Sequence, residues 1–218
     1  MKILLHLPHT SLKVPKYFYK GLKMSKEEFN RYNLFMTDYG IDELFKEIKG
    51  TRIIAKYSRL FCDIEKFKDN SKEFMYQYGQ GYIYTNTYDG RVLHEHDEKY
   101  IKKITKYYDH YHKKLDRISS KLLKKDNELL ILDCHSYSDS MASKHHKGPF
   151  KDVCIGIEEG YYNQKILDSI ISKLNELGLS YEINYPYKGS IIPNKFFNNH
   201  NEKICSIMLE INKRIYLA

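Results

Sequence analysis

Apolar residues gather in short runs of strand length, at Lys2 to Leu7, Arg52 to Ile64 with a break near Ser58, Glu128 to Cys134, Val153 to Ile157, Ser180 to Tyr185 and Ser206 to Asn212. The runs are continuous rather than alternating, as strands read when both faces are covered. Helical spacing fills the intervals. Ile41 to Ile48 follows Thr37 and Asp38, which cap helices well; Asn163 to Leu177 runs up to Gly178, a natural C-cap. Asp97 to Leu123 sets Ile101, Ile104, Tyr108, Tyr111, Leu115, Ile118 and Leu122 along one stripe. Strands separated by helices predict the α/β class, with a central, mostly parallel sheet flanked by helices. Asp69 to Leu93, with Gly79, Gly81 and Gly90 around an alternating Tyr82 to Thr87, reads as an excursion with a hairpin, and Ser138 to Lys151 as a long loop.

Composition narrows this to one domain over 1–218, because 218 residues, 42% hydrophobic and 14% aromatic, close one sizeable core and hardly two. No run of about 18 apolar residues predicts a membrane span, and Met1 to Leu7 carries no small-residue cleavage site, so the expected location is cytoplasmic. Cys62, Cys134, Cys154 and Cys205 lie in apolar runs without C-x-x-C spacing, the pattern of buried free thiols. The net charge of +8 raises the question of nucleic acid. Its lysines are scattered, and the densest cluster, Lys99 to Lys125, is the solvated face of the long helix, so no nucleic-acid partner is expected.

In an open α/β sheet, ligands collect at the carboxyl ends of parallel strands. Polar groups stand there at Pro8-His9-Thr10-Ser11 and at Asp133-Cys134-His135-Ser136. A lone histidine after a strand is usually a loop residue, whereas an apolar strand closing on Asp-x-His-Ser calls for a use. Thr37-Asp38-Tyr39-Gly40 is equally an ordinary helix cap. Glu210, inside the apolar Met208 to Asn212, needs a partner or a task because burying a bare carboxylate is costly. His9, His135 and Asp38 would supply the imidazoles and carboxylate that a catalytic zinc takes, with Glu210 as the base acting on water. Asp63 rivals Asp38 as the carboxylate, against the plainer reading of an Arg59–Asp63 ion pair. His110 and His112 diverge on the helix, and no G-x-S-x-G, P-loop or G-x-G-x-x-G motif occurs.

Taken together, the chain resembles the N-formylglutamate amidohydrolase family. The likeness rests on Pro8-His9, Thr37-Asp38-Tyr39-Gly40, Ser58-Arg59-Leu60 through Asp63-Ile64-Glu65-Lys66-Phe67, Gly79-Gln80-Gly81, Asp133-Cys134-His135-Ser136, Pro186-Tyr187 with Gly189-Ser190, and Met208-Leu209-Glu210-Ile211-Asn212 with Arg214, in that order. It implies a fold like that of zinc carboxypeptidases, with a mixed sheet between helices. The implied reaction is hydrolysis of an N-acyl amino acid, typically N-formyl-L-glutamate to formate and glutamate. It also implies one zinc ion, or another divalent metal, on His9, Asp38 and His135, and Glu210 as general base. Arg59 and Asp63 would lie at the small acidic substrate, and Asn212 and Arg214 would orient Glu210 or that substrate. Lys66 and His94 stand where the family commonly has arginine. Two alternatives stay open: an amidase or peptidase acting on another N-acyl or glutamyl bond, such as one in a cell-wall peptide, and a non-catalytic basic binding protein.

Overall fold

A computed structural model of the chain describes residues 1–197 and 203–217. The strands are β1 (Lys2–Leu7), β2 (Thr51–Ile54), β3 (Leu129–Tyr137), β4 (Val153–Ile157), β5 (Tyr181–Ile183) and β6 (Ile204–Asn212). The helices are α1 (Lys26–Met36), α2 (Ile41–Leu44), α3 (Glu98–Asp126), α4 (Asp139–Ala142) and α5 (Gln164–Glu176). The strands form one mixed sheet in the order β2-β1-β3-β6-β4-β5. β1 with β3, β3 with β6, and β4 with β5 are parallel; β4 and β6 are antiparallel. The fold is the α/β arrangement that the apolar runs predict, with β2 and α2 shorter than their patterns suggested. The Tyr82 to Thr87 stretch makes only isolated bridges, Gln80 to Tyr84 and Asn86 to Val92, instead of a hairpin.

The chain packs as two compact units, Met1–Leu7, Gly40–Ile53 and Leu115–Ala218 in one, Pro8–Tyr39 and Ile54–Lys114 in the other. The first carries the sheet. β3 is buried along its whole length, which is why its sequence lacks alternation. One sheet face, with Leu5, Leu7, Leu130, Leu132, Cys134, Ile155, Ile207 and Ile211, packs against Ile41 and Phe45 around α2 and Leu167 and Leu174 of α5. Side-chain alternation therefore turns His6, Asp133, His135 and Glu210 to the opposite face. Position 156 faces the same side and must be glycine, because a Cβ there would stand 2.1 Å from the Gly189 carbonyl oxygen and 2.4 Å from Met208 Cε. Since β4 runs against β6, its first residue Val153 stands beside Ile211, at the end of the sheet where Glu210 lies.

The second unit is built on aromatics: Phe18, Phe29, Phe61 and Tyr100 are buried, with Phe18–Phe29 centroids at 5.0 Å and Phe61–Tyr100 at 6.2 Å. Its α1, absent from the strand-and-helix pattern read above, starts at a capping box in which Ser25 Oγ accepts from the Glu28 N–H and Glu28 accepts from the Ser25 N–H.

Candidate active site

In the second unit, Asp63 organises a buried polar knot. It sits in the irregular segment after β2, fully buried. Its Oδ1 accepts from His9 Nε2 at 2.8 Å and from the Glu65 N–H at 3.2 Å. Its Oδ2 accepts from Arg59 Nη2 at 2.8 Å, Arg59 Nε at 3.1 Å and the Tyr84 hydroxyl at 3.0 Å. Burial alone would raise the Asp63 pKa, but His9 and Arg59 hold it well below the carboxylate range. Burial pushes the Tyr84 phenol far up, and Asp63 adds to the rise. For His9, burial and the Arg59 charge oppose protonation; Asp63 and Asp38 outweigh them and raise the pKa.

Asp38 is buried beside His9. Its N–H donates to the His9 carbonyl at 2.9 Å, and its Oδ2 lies 3.7 Å from His9 Nδ1. It does not cap α2, whose N-cap is Gly40 at φ 81°. Glu65, half-buried, brings Oε2 to 3.7 Å from His9 Nε2. The sequence assigns no role to Glu65 or Tyr84, although the stretch holding Glu65 carries part of the family resemblance. The Asp-x-Glu spacing of Asp63 and Glu65 is the local signal for Glu65, and no spacing rule gives Tyr84 a function.

In the first unit, β3 and β6 set His135 opposite Glu210 in parallel register, and Tyr137 opposite Asn212. Register partners lie about 4.8 Å apart and project to the same face, so the imidazole and the half-buried carboxylate are neighbours. His135 Nε2 donates to Asp133 Oδ1 at 3.0 Å on the same strand. Asp133 also accepts from His6 Nδ1 at 2.7 Å and from the Ile191 N–H at 3.0 Å. Burial opposes ionisation of Asp133, yet the two imidazoles hold its pKa far below normal. His6, fully buried in β1, was not singled out from the sequence.

Asn212 and Arg214 tie down the connection from β3 to β4, which the sequence reads as a long loop and which carries α4 at its start. Asn212 Nδ2 donates to Asp139 at 2.6 Å, and the Arg214 guanidinium spans Asp139 at 3.0 Å and Asp152 at 2.9 Å. All four cysteines are buried and free, as their apolar settings predict. Buried histidines with carboxylates nearby offer the donor atoms a divalent ion takes.

A family model described as N-formylglutamate amidohydrolase matches residues 1–217. The chain belongs to the N-formylglutamate amidohydrolase family. Family membership supports a hydrolase of this kind, and the match runs through both compact units. Among solved structures, the N-formylglutamate amidohydrolase from Ralstonia eutropha JMP134 superposes with a TM-score of 0.83 at 19% identity, covering 99% of this chain and 83% of that one. A gene product of Agrobacterium tumefaciens superposes with a TM-score of 0.72 at 15% identity, covering 100% and 82% respectively. At these identities the likeness establishes the fold. A search of curated protein sequences finds no significant match. No helix among the described residues is long and apolar enough to cross a membrane.

Proposed function

We infer that this amidohydrolase cleaves the acyl amide of an N-acyl amino acid, with N-formyl-L-glutamate the leading substrate, and that a divalent metal, zinc by its donor chemistry, is held by His9, His135 and Asp38. The register of His135 beside Glu210 carries this reading, since an imidazole suited to ligate a metal and a carboxylate suited to act as a base stand on adjacent strands. His9 follows β1 by two residues in the chain. The two imidazoles suit the role: each has Nε2 on a buried aspartate, His9 on Asp63 and His135 on Asp133, which leaves Nδ1 as the nitrogen to ligate.

When bound, such an ion polarises the acyl carbonyl and acidifies water. Glu210 takes the proton of the attacking water and returns it to the departing amine nitrogen. Arg59 spends Nε and Nη2 on Asp63, and the remaining edge of its guanidinium meets the substrate carboxylate. Asp63 itself, enclosed by its donors, acts through His9 and Arg59.

Replacing Glu210 by Gln is the direct test. Turnover of N-formyl-L-glutamate should fall by a factor of about 100 to 10,000 while metal content, measured by elemental analysis, stays at the wild-type level. Near-normal turnover with metal bound would remove Glu210 from this role. His135→Ala should lose the metal. A second reading, hydrolysis of a different N-acyl or glutamyl bond, draws support from Lys66. This cation, standing where the family commonly has arginine, is paired with Glu73 at 3.0 Å. Product identification across a panel of N-acyl amino acids separates the two.

A further inference from the structure

Asp133 is a buried carboxylate, and an ionised carboxylate only accepts hydrogen bonds. Its contacts therefore assign the ring protons around it: His6 donates through Nδ1–H and His135 through Nε2–H, both to Oδ1, while the Ile191 N–H holds Oδ2. The three donors come from different parts of the first unit. His135 is two residues along the same strand, His6 is the register partner of Asp133 on β1, and Ile191 lies in the segment before β6. Each carboxylate oxygen has room for two donors, and Oδ1 takes two imidazoles. A second imidazole on Oδ1, at the shorter distance of 2.7 Å, fixes its rotation about the Cβ–Cγ bond.

β1 is otherwise apolar where it is buried, at Leu4, Leu5 and Leu7, so an imidazole there displaces a core side chain. The position does not touch water, and the reaction assigned above gives it no proton to carry. What it does touch is the carboxylate that orients His135.

We propose that His6 is a positioning residue for His135: by locking Asp133 in one rotamer, it keeps His135 in the Nε2–H tautomer and turns Nδ1 toward the metal. This rests on the reading of His135 as a metal ligand. Carboxylates that hold ligating histidines in this way set both tautomer and ring orientation, and losing such support typically weakens metal binding by about 10-fold to 100-fold.

The test compares wild type with His6→Phe, which keeps ring volume and removes the donor, and with His6→Asn, whose amide N–H replaces the Nδ1–H. Nitrogen-15 spectra of the histidine rings in metal-free protein report the His135 tautomer, and chelator competition reports zinc affinity. Wild type should show His135 as Nε2–H. His6→Phe should mix the tautomers and weaken zinc binding by about 10-fold to 100-fold, and His6→Asn should stay close to wild type. If His6→Phe does not fold, His6→Gln, with its amide one bond further out, carries the same expectation. Wild-type His135 in the Nδ1–H form, or a folded His6→Phe with unchanged tautomer and affinity, overturns the proposal. A wild type that binds no metal overturns the metal site instead, and the tautomers of the metal-free proteins still decide the role of His6.

Discussion

Replacing Asp63 by alanine strips the acceptor from Arg59, His9, Tyr84 and the Glu65 N–H at one stroke. Summing about 1.5–3 kcal/mol for each hydrogen bond to a charged group would overshoot, since released donors recover some solvation. Tyr84 is buried, whereas the Arg59 side chain is 22% exposed and can reach water. The measured range for breaking one side of a buried ion pair, about 3–5 kcal/mol, is the better guide, and we expect about 4 kcal/mol. With a urea slope of about 2 kcal/mol per molar, the unfolding midpoint followed by circular dichroism should drop by about 2 M. Asp63→Asn should lose most of the same stability, because its NH2 group must face donors on one side. A cycle with Arg59→Met should show coupling of at least about 1 kcal/mol, since removing the guanidinium first leaves less to strand. An Asp63→Ala loss below about 1 kcal/mol, or additive single substitutions, would refute the view that this carboxylate holds the knot together.

Acid should weaken the fold in two stages. Burial and the neighbouring His94 push His96 down to about 4. The unfolded chain, near 6.5, then binds the extra proton first, so stability falls between about pH 6.5 and pH 4. Solvent reaching the half-buried ring limits the His96 share to about 2 kcal/mol, and His96→Phe should shrink this stage in urea titrations run across that range, leaving the part carried by His94, whose pKa burial also lowers. The Asp63 contribution is complete above the unfolded carboxylate pKa of about 4 and disappears only as the pH falls toward its depressed folded value, which sets the second stage. Gly156→Ala should cost at least about 2 kcal/mol, read as a lower urea midpoint, because the new methyl meets the Gly189 carbonyl and Met208. A thiol reagent should find none of the four cysteines in the native protein and all of them in urea; burial pushes the Cys154 thiol up to about 12.

The sheet was readable because continuous apolar runs have few other uses, and β1, β4 and β6 lie where their runs predict. α1 was not read, although Ser25 and Glu28 spell its capping box, because it buries little beyond Phe29, Asn33 and Met36 and so lacks a clear apolar stripe. Candidate site residues were visible where they interrupt an apolar strand, as His135 and Glu210 do. His6 interrupts β1 in the same way, and the cost of burying an imidazole without a partner would have pointed to it. Partnership between distant residues was out of reach: no spacing rule pairs His9 with Asp63 or links Tyr84 to either.

The antiparallel entry of β4 has a consequence for how this enzyme can change. The stretch between β3 and β4 departs from the Glu210 end of the sheet and comes back to it, tied down by Asp139 and Asp152 on Arg214. Its middle is a crest that never crosses the sheet. Laboratory evolution toward new substrates can therefore randomise the codons between Ser143 and Pro149 as a cassette, leaving strand pairing, the buried Ala142 and Phe150 and both aspartate anchors as the inherited frame.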